Sequence, residues 1–187
     1  MKPIFAQPLC TAAIAVLAGC ATSSPDLPTQ SGVDLTRYAG TWYEQARLPN
    51  RFQDDCVADV RADYRVLPDG TLGVVNQCRT ADGATKTATA EGRLAPAFDP
   101  PDPARLEVRF APKWTSWLPM VWGDYWILQI AGDYQYSLVG TPDRKYLWVL
   151  SRERQADPAI ISRLLDHARG LGFEVDQVIS AAQATRV

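Results

Sequence analysis

The sequence has few of the residues on which most catalytic and metal sites depend. Among 187 residues it has one histidine, His167, and four cysteines. If Cys56 and Cys78 form a disulfide, the single histidine leaves no metal cluster and no cysteine–histidine nucleophile. The strand carboxylates are expected to face solvent or to pair with arginines: Glu44, Asp59, Asp63 and Glu91. We therefore expect neither a metal nor a cofactor, and no enzymatic activity.

The chain also has little net charge and no apolar run long enough to span a bilayer as a helix. Its formal net charge is -2, so the chain lacks the excess of basic residues that is typical of nucleic-acid-binding proteins. The one strongly apolar run, Leu9 to Gly19, is too short for a transmembrane helix. The length suits one domain with a sizeable core.

The N-terminal region has the organisation of a secretion signal that ends at a cysteine. Lys2 supplies the positive segment, and Leu9 to Gly19 supplies the apolar core. Leu17-Ala18-Gly19-Cys20 resembles the bacterial lipobox, in which the chain is cut before a cysteine whose thiol takes a diacylglycerol. We predict a signal peptide over 1–19 and a lipid on Cys20. The alternative is an ordinary signal peptide with a chance cysteine.

The residues after Cys20 predict where the protein goes. In the lipoprotein sorting rule, an aspartate in the second place retains the protein in the inner membrane, whereas Ala21 implies export to the bacterial outer membrane. Residues 20–32 are predicted to form the lipidated tether. Because Ala21 to Gly32 is rich in Ser, Pro and Thr, we expect it to be extended and to span about 40 Å at about 3.3 Å per residue.

Short strands separated by turn residues fill most of residues 33–187, which we predict to be one domain. Pro68-Asp69-Gly70 is typical of a tight turn, since proline presets φ and glycine accepts positive φ. Apolar and polar residues alternate along several of these runs. The pattern predicts eight strands, near 41–48, 56–66, 71–79, 85–95, 104–111, 123–131, 134–140 and 145–152.

One helix is predicted after the last strand. Asp157 suits its N-cap and Pro158 its first position, and either Gly170 or Gly172 ends it. The strands near 123–131 and 145–152 are apolar on both faces, so we expect this helix to cover their outer side. Eight antiparallel strands can close into a barrel that holds side chains or one small ligand. The predicted fold is therefore all-β, an eight-stranded up-and-down antiparallel β-barrel with one C-terminal α-helix packed outside.

Three short motifs, in order along the chain, resemble those of the lipocalin family. Gly40-Thr41-Trp42 resembles the G-x-W of the first strand, and Asp133-Tyr134 resembles the second family motif. Arg152 resembles the third. The resemblance implies that Arg152 packs over Trp42 at the closed end of the barrel, as a cation on an indole face.

The resemblance runs from about Val33 to Gln183, and it includes bacterial outer-membrane lipocalins and apolipoprotein D. It implies a fatty acid or lysophospholipid as ligand, bound in the barrel of an outer-membrane-anchored protein that stores or transports it. A structural envelope lipoprotein with a filled barrel, or a lipocalin-type enzyme, are the alternatives. The predicted pocket residues are Ala46, Ala58, Tyr64, Val108, Phe110, Tyr125, Tyr136 and Trp148.

The two remaining cysteines lie on neighbouring predicted strands of an exported chain. An oxidising compartment permits a disulfide between Cys56 and Cys78. By the chain-entropy model such a bridge would contribute about 3 kcal/mol. Two buried free thiols are the alternative.

A tryptophan-rich loop is predicted between the fifth and sixth strands. Loops that follow odd-numbered strands lie at the open end of such a barrel, so Trp114, Trp117 and Trp122 are expected at the pocket mouth. Either the rings fold over the mouth as a lid, or some of them sit in a membrane interface, where tryptophan is favoured. The sequence leaves the oligomeric state open.

Overall fold

The computed structural model describes residues 26–181 of the chain. Its strands form one antiparallel sheet in sequence order, and β1 also pairs with β2, so the sheet closes into a barrel as predicted. A ninth strand of two residues, which has no alternation to reveal it in the sequence, pairs with the end of β1. The strands are β1 (Gly40–Arg47), β2 (Ala58–Val66), β3 (Leu72–Arg79), β4 (Thr85–Leu94), β5 (Arg105–Arg109), β6 (Gly123–Ala131), β7 (Tyr136–Gly140), β8 (Leu147–Ser151) and β9 (Ile179–Ser180).

Two α-helices flank the barrel. Helix α2 (Pro158–Gly170) follows β8, as predicted, whereas the short α1 (Leu35–Tyr38) before β1 was not predicted. The Asp157 carboxylate caps α2 by accepting a hydrogen bond from the backbone N–H of Ala159. Between residues 26 and 181, no helix is both long enough and apolar enough to cross a membrane.

The barrel wall separates two apolar cores. The interior cluster fills the lower part of the barrel, which is the part nearer the closed end where β1 begins. It includes Trp42, Tyr64, Leu106, Ile127 and Leu150. The outer cluster lies between the wall and α2, and includes Ala46, Leu138, Val149, Leu164 and Phe173. Strands β6, β7 and β8 contribute to both clusters, which explains why β6 and β8 are apolar on both faces, as predicted.

Irregularities in two strands decide which side chains face inward. The register of β1 against β8 shifts between Glu44 and Ala46, and the register of β6 against β7 shifts between Ile127 and Gln129. A bulge of this kind adds one residue to a strand and reverses the facing of every residue after it. The bulge in β1 therefore turns Ala46 outward and Arg47 inward.

Part of the predicted tether packs on the barrel. Leu27 is buried in the outer cluster, and Val33 is buried in the interior cluster. The backbone N–H of Gln30 donates to the carbonyl of Ile127 at 2.9 Å. The prediction of an extended tether as far as Gly32 is therefore wrong for residues 26–32. Cys20 and the predicted signal peptide lie outside the described residues.

Candidate functional site

The closed end of the barrel joins the residues of the three motifs. The guanidinium carbon of Arg152 lies 3.8 Å from the centroid of the Trp42 ring. Its Nη1 donates to the carbonyl of Thr41 at 2.9 Å, and its Nη2 donates to that of Ala39 at 3.0 Å. The buried Trp42 indole in turn donates to the carbonyl of Tyr38 at 2.8 Å. This end is therefore sealed by a cation, an indole and the backbone before β1.

The remaining motif residues support this seal. Asp133 and Tyr134 form the left-handed turn between β6 and β7, with φ of 53° and 67°. The Tyr134 hydroxyl accepts from the backbone N–H of Asp34 at 2.8 Å. Gly40 has φ of 101°, and a Cβ there would lie 3.3 Å from Arg152 Nη1, so glycine suits this position.

Three tyrosines fill the barrel just above the seal. The hydroxyl of Tyr125 lies 2.9 Å from those of Tyr38 and Tyr64, and Tyr38 is 3.0 Å from Ser137 Oγ. Burial raises the pKa of Tyr38 to about 12, and it also raises the pKa values of Tyr64 and Tyr125. The lower half of the barrel is thus a packed floor with its hydroxyls bonded to one another.

A buried ion pair lies in the interior between the three tyrosines and the open end. Arg47 stands opposite Trp148 in the register, and its Nη1 donates to Glu44 Oε1 at 2.7 Å. Gln53 donates to the other Glu44 oxygen at 2.7 Å and accepts from the Trp148 indole at 3.0 Å. Burial raises the pKa of the Glu44 carboxyl, although the Arg47 charge acts to lower it.

The sequence reasoning missed Arg47, because strict alternation from Trp42 places it outside. Its side chain is only 6% exposed. Among the described residues, its Nε has no hydrogen-bond partner. A run of polar residues next to Ala46 in an otherwise regular strand is the one hint of a bulge in the sequence.

Small residues line the inner face of β2 and β4. Ala62 and Ala90 pack against the interior cluster. Ala88 also faces inward, because residues paired across strands face the same side of the sheet and Asn76 pairs with both Ala62 and Ala88. These three alanines are only partly buried, so the wall is accessible from the open end. A hollow of 390 Å³ lies on β2, β3 and β4, and its lining includes the outward-facing Asp63, Arg65 and Thr89, so it belongs to the outer surface rather than to the interior.

The predicted pocket residues fall into three groups: four in the interior, one at the open end and three that face outward. Tyr64, Val108, Tyr125 and Trp148 lie in the interior cluster or pack against it. Whether any of them contacts a ligand stays a prediction. Phe110 follows the last residue of β5 and is half exposed at the open end.

Three predicted pocket residues face outward, so their assignment to the pocket is wrong. Ala46 belongs to the outer cluster because of the β1 bulge. Ala58 stands opposite the exposed Arg79, before the register shift that precedes Arg61. Tyr136 packs against the outer cluster and its hydroxyl accepts from Asp157 N, since β7 is apolar on both faces and α2 covers the outer one.

A disulfide joins Cys56 to Cys78, as predicted, with the two Cα atoms 5.5 Å apart. It ties the segment before β2 to the end of β3. Both residues lie near the open end, because β1 and β3 run from the sealed end toward it. The bridge therefore fixes one side of the mouth.

The tryptophan-rich loop does not cover the mouth. Trp122 lies on the outer wall, with the Arg93 guanidinium 3.8 Å and the Arg109 guanidinium 5.1 Å from its ring centroid. Trp114 and Trp117 are 78% and 75% exposed. The placement of Trp122 at the pocket mouth and the prediction of a lid are therefore wrong.

Residues suited to metal chemistry are not grouped. In the described part of the chain, no three His, Cys, Asp or Glu residues stand close enough to hold a metal ion. His167 is exposed on α2, outside the barrel. The arrangement of the interior instead suits binding of a largely apolar molecule.

Comparisons with known proteins agree with this architecture. A family model described as a lipocalin-like domain matches residues 33–183. The chain is 37% identical to temperature-induced lipocalin-1 of Arabidopsis thaliana, covering 87% of this chain and 86% of that protein. It is 33% identical to the outer membrane lipoprotein Blc of Escherichia coli K12, covering 94% and 96%. Insecticyanin from the tobacco hornworm Manduca sexta has a similar fold, with a TM-score of 0.65 at 19% identity over 84% of this chain and 85% of that one. The chain therefore belongs to the lipocalin family.

Proposed function

We propose that this lipocalin binds one acyl lipid, a fatty acid or a lysophospholipid, in the open half of its barrel. The observation that carries the proposal is the contrast between the two halves of the interior. The lower half is packed with Trp42 and three tyrosines, whereas the upper half has a wall of alanines that solvent reaches. We place the acyl chain in a slot against this alanine wall, above the closed floor.

The polar end of the ligand is expected near Arg47. This guanidinium is held inside the barrel by Glu44, which leaves donors for a carboxylate or a phosphate. The pair is neutral overall, so an anion would meet hydrogen-bond donors rather than a strong positive field. We propose binding rather than catalysis, since the single histidine is exposed on α2.

A pair of tryptophan substitutions on β4 tests the site. Ala90→Trp places a large ring in the slot, whereas Thr89→Trp places it on the exposed outer face of the same strand. Calorimetric titration of delipidated protein with palmitate and with a lysophospholipid is expected to saturate at one ligand per chain. Thr89→Trp should bind equally well, and Ala90→Trp should not bind. Equal binding by both variants would place the ligand elsewhere, and no saturable binding in any form would favour a structural protein with a filled barrel.

We also propose that the protein is a lipid-anchored protein of a bacterial outer membrane. The lipobox resemblance at Cys20 supports this, as does the similarity to the outer membrane lipoprotein of Escherichia coli. Mass spectrometry of the protein from bacterial envelopes should find an N-terminal Cys20 that carries a diacylglycerol. An unmodified N-terminus at another residue would overturn the proposed anchor.

A further inference from the structure

The loop between β5 and β6 presents three large apolar side chains to solvent. Trp114 is 78% exposed, Trp117 is 75% exposed and Met120 is 84% exposed. They lie within seven residues whose neighbourhood holds a single charge, Lys113. A cluster of this kind on a soluble surface marks a place where another apolar surface docks.

The loop that exposes these three side chains is itself ordered by turns and hydrogen bonds. Two short 3₁₀ turns, Lys113–Thr115 and Pro119–Val121, shape its backbone. The Trp122 indole donates to the carbonyl of Ser116 at 2.8 Å, and the ring lies between two arginines on the outer wall. The Thr115 hydroxyl donates to the carbonyl of Pro112 at 2.7 Å. None of these contacts uses the three exposed side chains, so they are free to insert into a partner.

The N-terminal chain leaves the barrel on the same wall as this loop, at the other end of β5. Asp26 is paired with Arg105, the first residue of β5, at 3.5 Å, and Leu27 is buried nearby with Trp126. The loop follows Arg109, the last residue of β5. Strand β5 therefore separates the two by only about 17 Å, at about 3.4 Å per residue. The segment from Cys20 to Asp26 reaches at most about 20 Å.

We propose that Trp114, Trp117 and Met120 insert into the same bilayer that holds the lipid on Cys20, which turns the β5 wall and the barrel mouth toward the membrane. The occupant is a lipid surface because the short N-terminal segment keeps this side of the barrel within reach of the anchoring bilayer. Tryptophan rings are favoured at the depth of the headgroups. The inference rests on the proposed anchor and on the proposed lipid cargo.

The absence of a basic cluster in the loop predicts how the contact responds to salt. Lys113 is the one cation in the loop, so charge contributes little to its attraction for anionic lipid. The contact is therefore apolar, and raising the ionic strength should not release it. A loop that docked by charge would lose contact as salt screens it.

Brominated phospholipids test this contact, because bromine on the acyl chain quenches only rings that enter the bilayer. The mature full chain is reconstituted into vesicles of phosphatidylethanolamine and phosphatidylglycerol that contain a brominated diacyl phospholipid. The triple variant Trp114→Ala, Trp117→Ala and Met120→Ala should lose most of the quenching, keep its melting temperature, and transfer lipid more slowly. Val66→Ala, an exposed apolar change at the opposite end of the barrel, is the matched control and should behave like the parent chain.

The possible results test the membrane contact separately from the proposed anchor on Cys20 and the proposed acyl-lipid ligand. Equal quenching in the parent chain and the triple variant, or no quenching in either, overturns the membrane contact, whatever the calorimetric titration gives. A Cys20→Ala chain added to the same vesicles should still shift its tryptophan emission to the blue, more weakly, and should do so at both low and high salt. Loss of acyl-lipid binding together with retained quenching would overturn the cargo and leave the contact standing.

Discussion

Arg152 lies over the ring of Trp42, with 3.8 Å between its guanidinium carbon and the ring centroid. Arg152 directly follows the last barrel strand, and Trp42 belongs to the first. The guanidinium also donates to backbone carbonyls before β1 and in the β6–β7 turn, including those of Ala39 and Tyr134. One side chain thus joins three segments that are distant in sequence, and this explains why the barrel is closed at that end.

Trp42→Ala should strongly destabilise the fold. The ring is fully buried among Tyr38 and its neighbours, so its removal leaves a cavity and costs about 3–5 kcal/mol of unfolding free energy. Trp114→Ala is the matched control, because it deletes the same side chain at an exposed position and should change stability by less than about 0.5 kcal/mol. Urea unfolding of both variants measures the difference. Similar midpoints for the two would mean that Trp42 is not the core of the seal.

The barrel should lose stability in alkali. The phenols of Tyr38, Tyr64 and Tyr125 have pKa values raised by burial, to about 12 for Tyr38, against an ordinary value near 10. Their neutral forms contribute stability that is fully present below pH 10 and is lost as pH rises through the folded values. The urea midpoint should therefore fall between pH 10 and pH 12, and Tyr125→Phe should reduce the fall. A titration at 295 nm in which all seven tyrosines of the native protein ionise together near pH 10 would contradict this.

Removing one partner of the Glu44–Arg47 pair should cost more than removing both. Glu44→Gln leaves the buried Arg47 charge without its counterion, which costs about 3–5 kcal/mol. Glu44→Gln with Arg47→Met removes both charges and should therefore cost less than Glu44→Gln alone. Asp166→Asn, which breaks an exposed pair with Arg169 on α2, is the control and should cost at most about 1 kcal/mol. Additive effects of the two interior changes would refute a coupled pair.

Reduction of the Cys56–Cys78 disulfide should lower stability without unfolding the barrel. The bridge spans 22 residues of sequence, so the chain-entropy model gives about 3 kcal/mol. Thermal melts with and without dithiothreitol measure the change. A Cys56→Ser, Cys78→Ser chain should melt at the temperature of the reduced protein and should not respond to the reductant. No shift in the parent chain would mean that the bridge adds nothing.

Periodicity and turn chemistry predicted the eight barrel strands and α2, because these depend on local sequence, whereas the motif residues were predicted from the resemblance to lipocalins. The facing of individual residues was harder to predict. Ala46 follows the alternation of Trp42 and Glu44, and only the extra residue of the β1 bulge turns it outward. The same bulge hid Arg47, and α2 made Tyr136 an outer residue. Both outcomes depend on pairing between distant strands, which sequence periodicity does not contain.

The packing of residues 26–32 was missed for a related reason. The segment is polar and broken by prolines, which is typical of a tether. Its hold on the barrel depends on a few long-range contacts, such as burial of Leu27 and the hydrogen bond from Gln30 to Ile127. Single long-range contacts of this kind leave no periodic pattern in the sequence.

The central claim, that an acyl chain lies in the open half of the barrel, is tested most directly by isotope-filtered NOE spectroscopy. Protein with labelled alanine methyl groups is mixed with one equivalent of an acyl lipid. The account predicts NOEs from the acyl methylenes to Ala62, Ala88 and Ala90, and none to Ala46, which lies outside the barrel against α2. NOEs to Ala46 without any to the three inner alanines would contradict it.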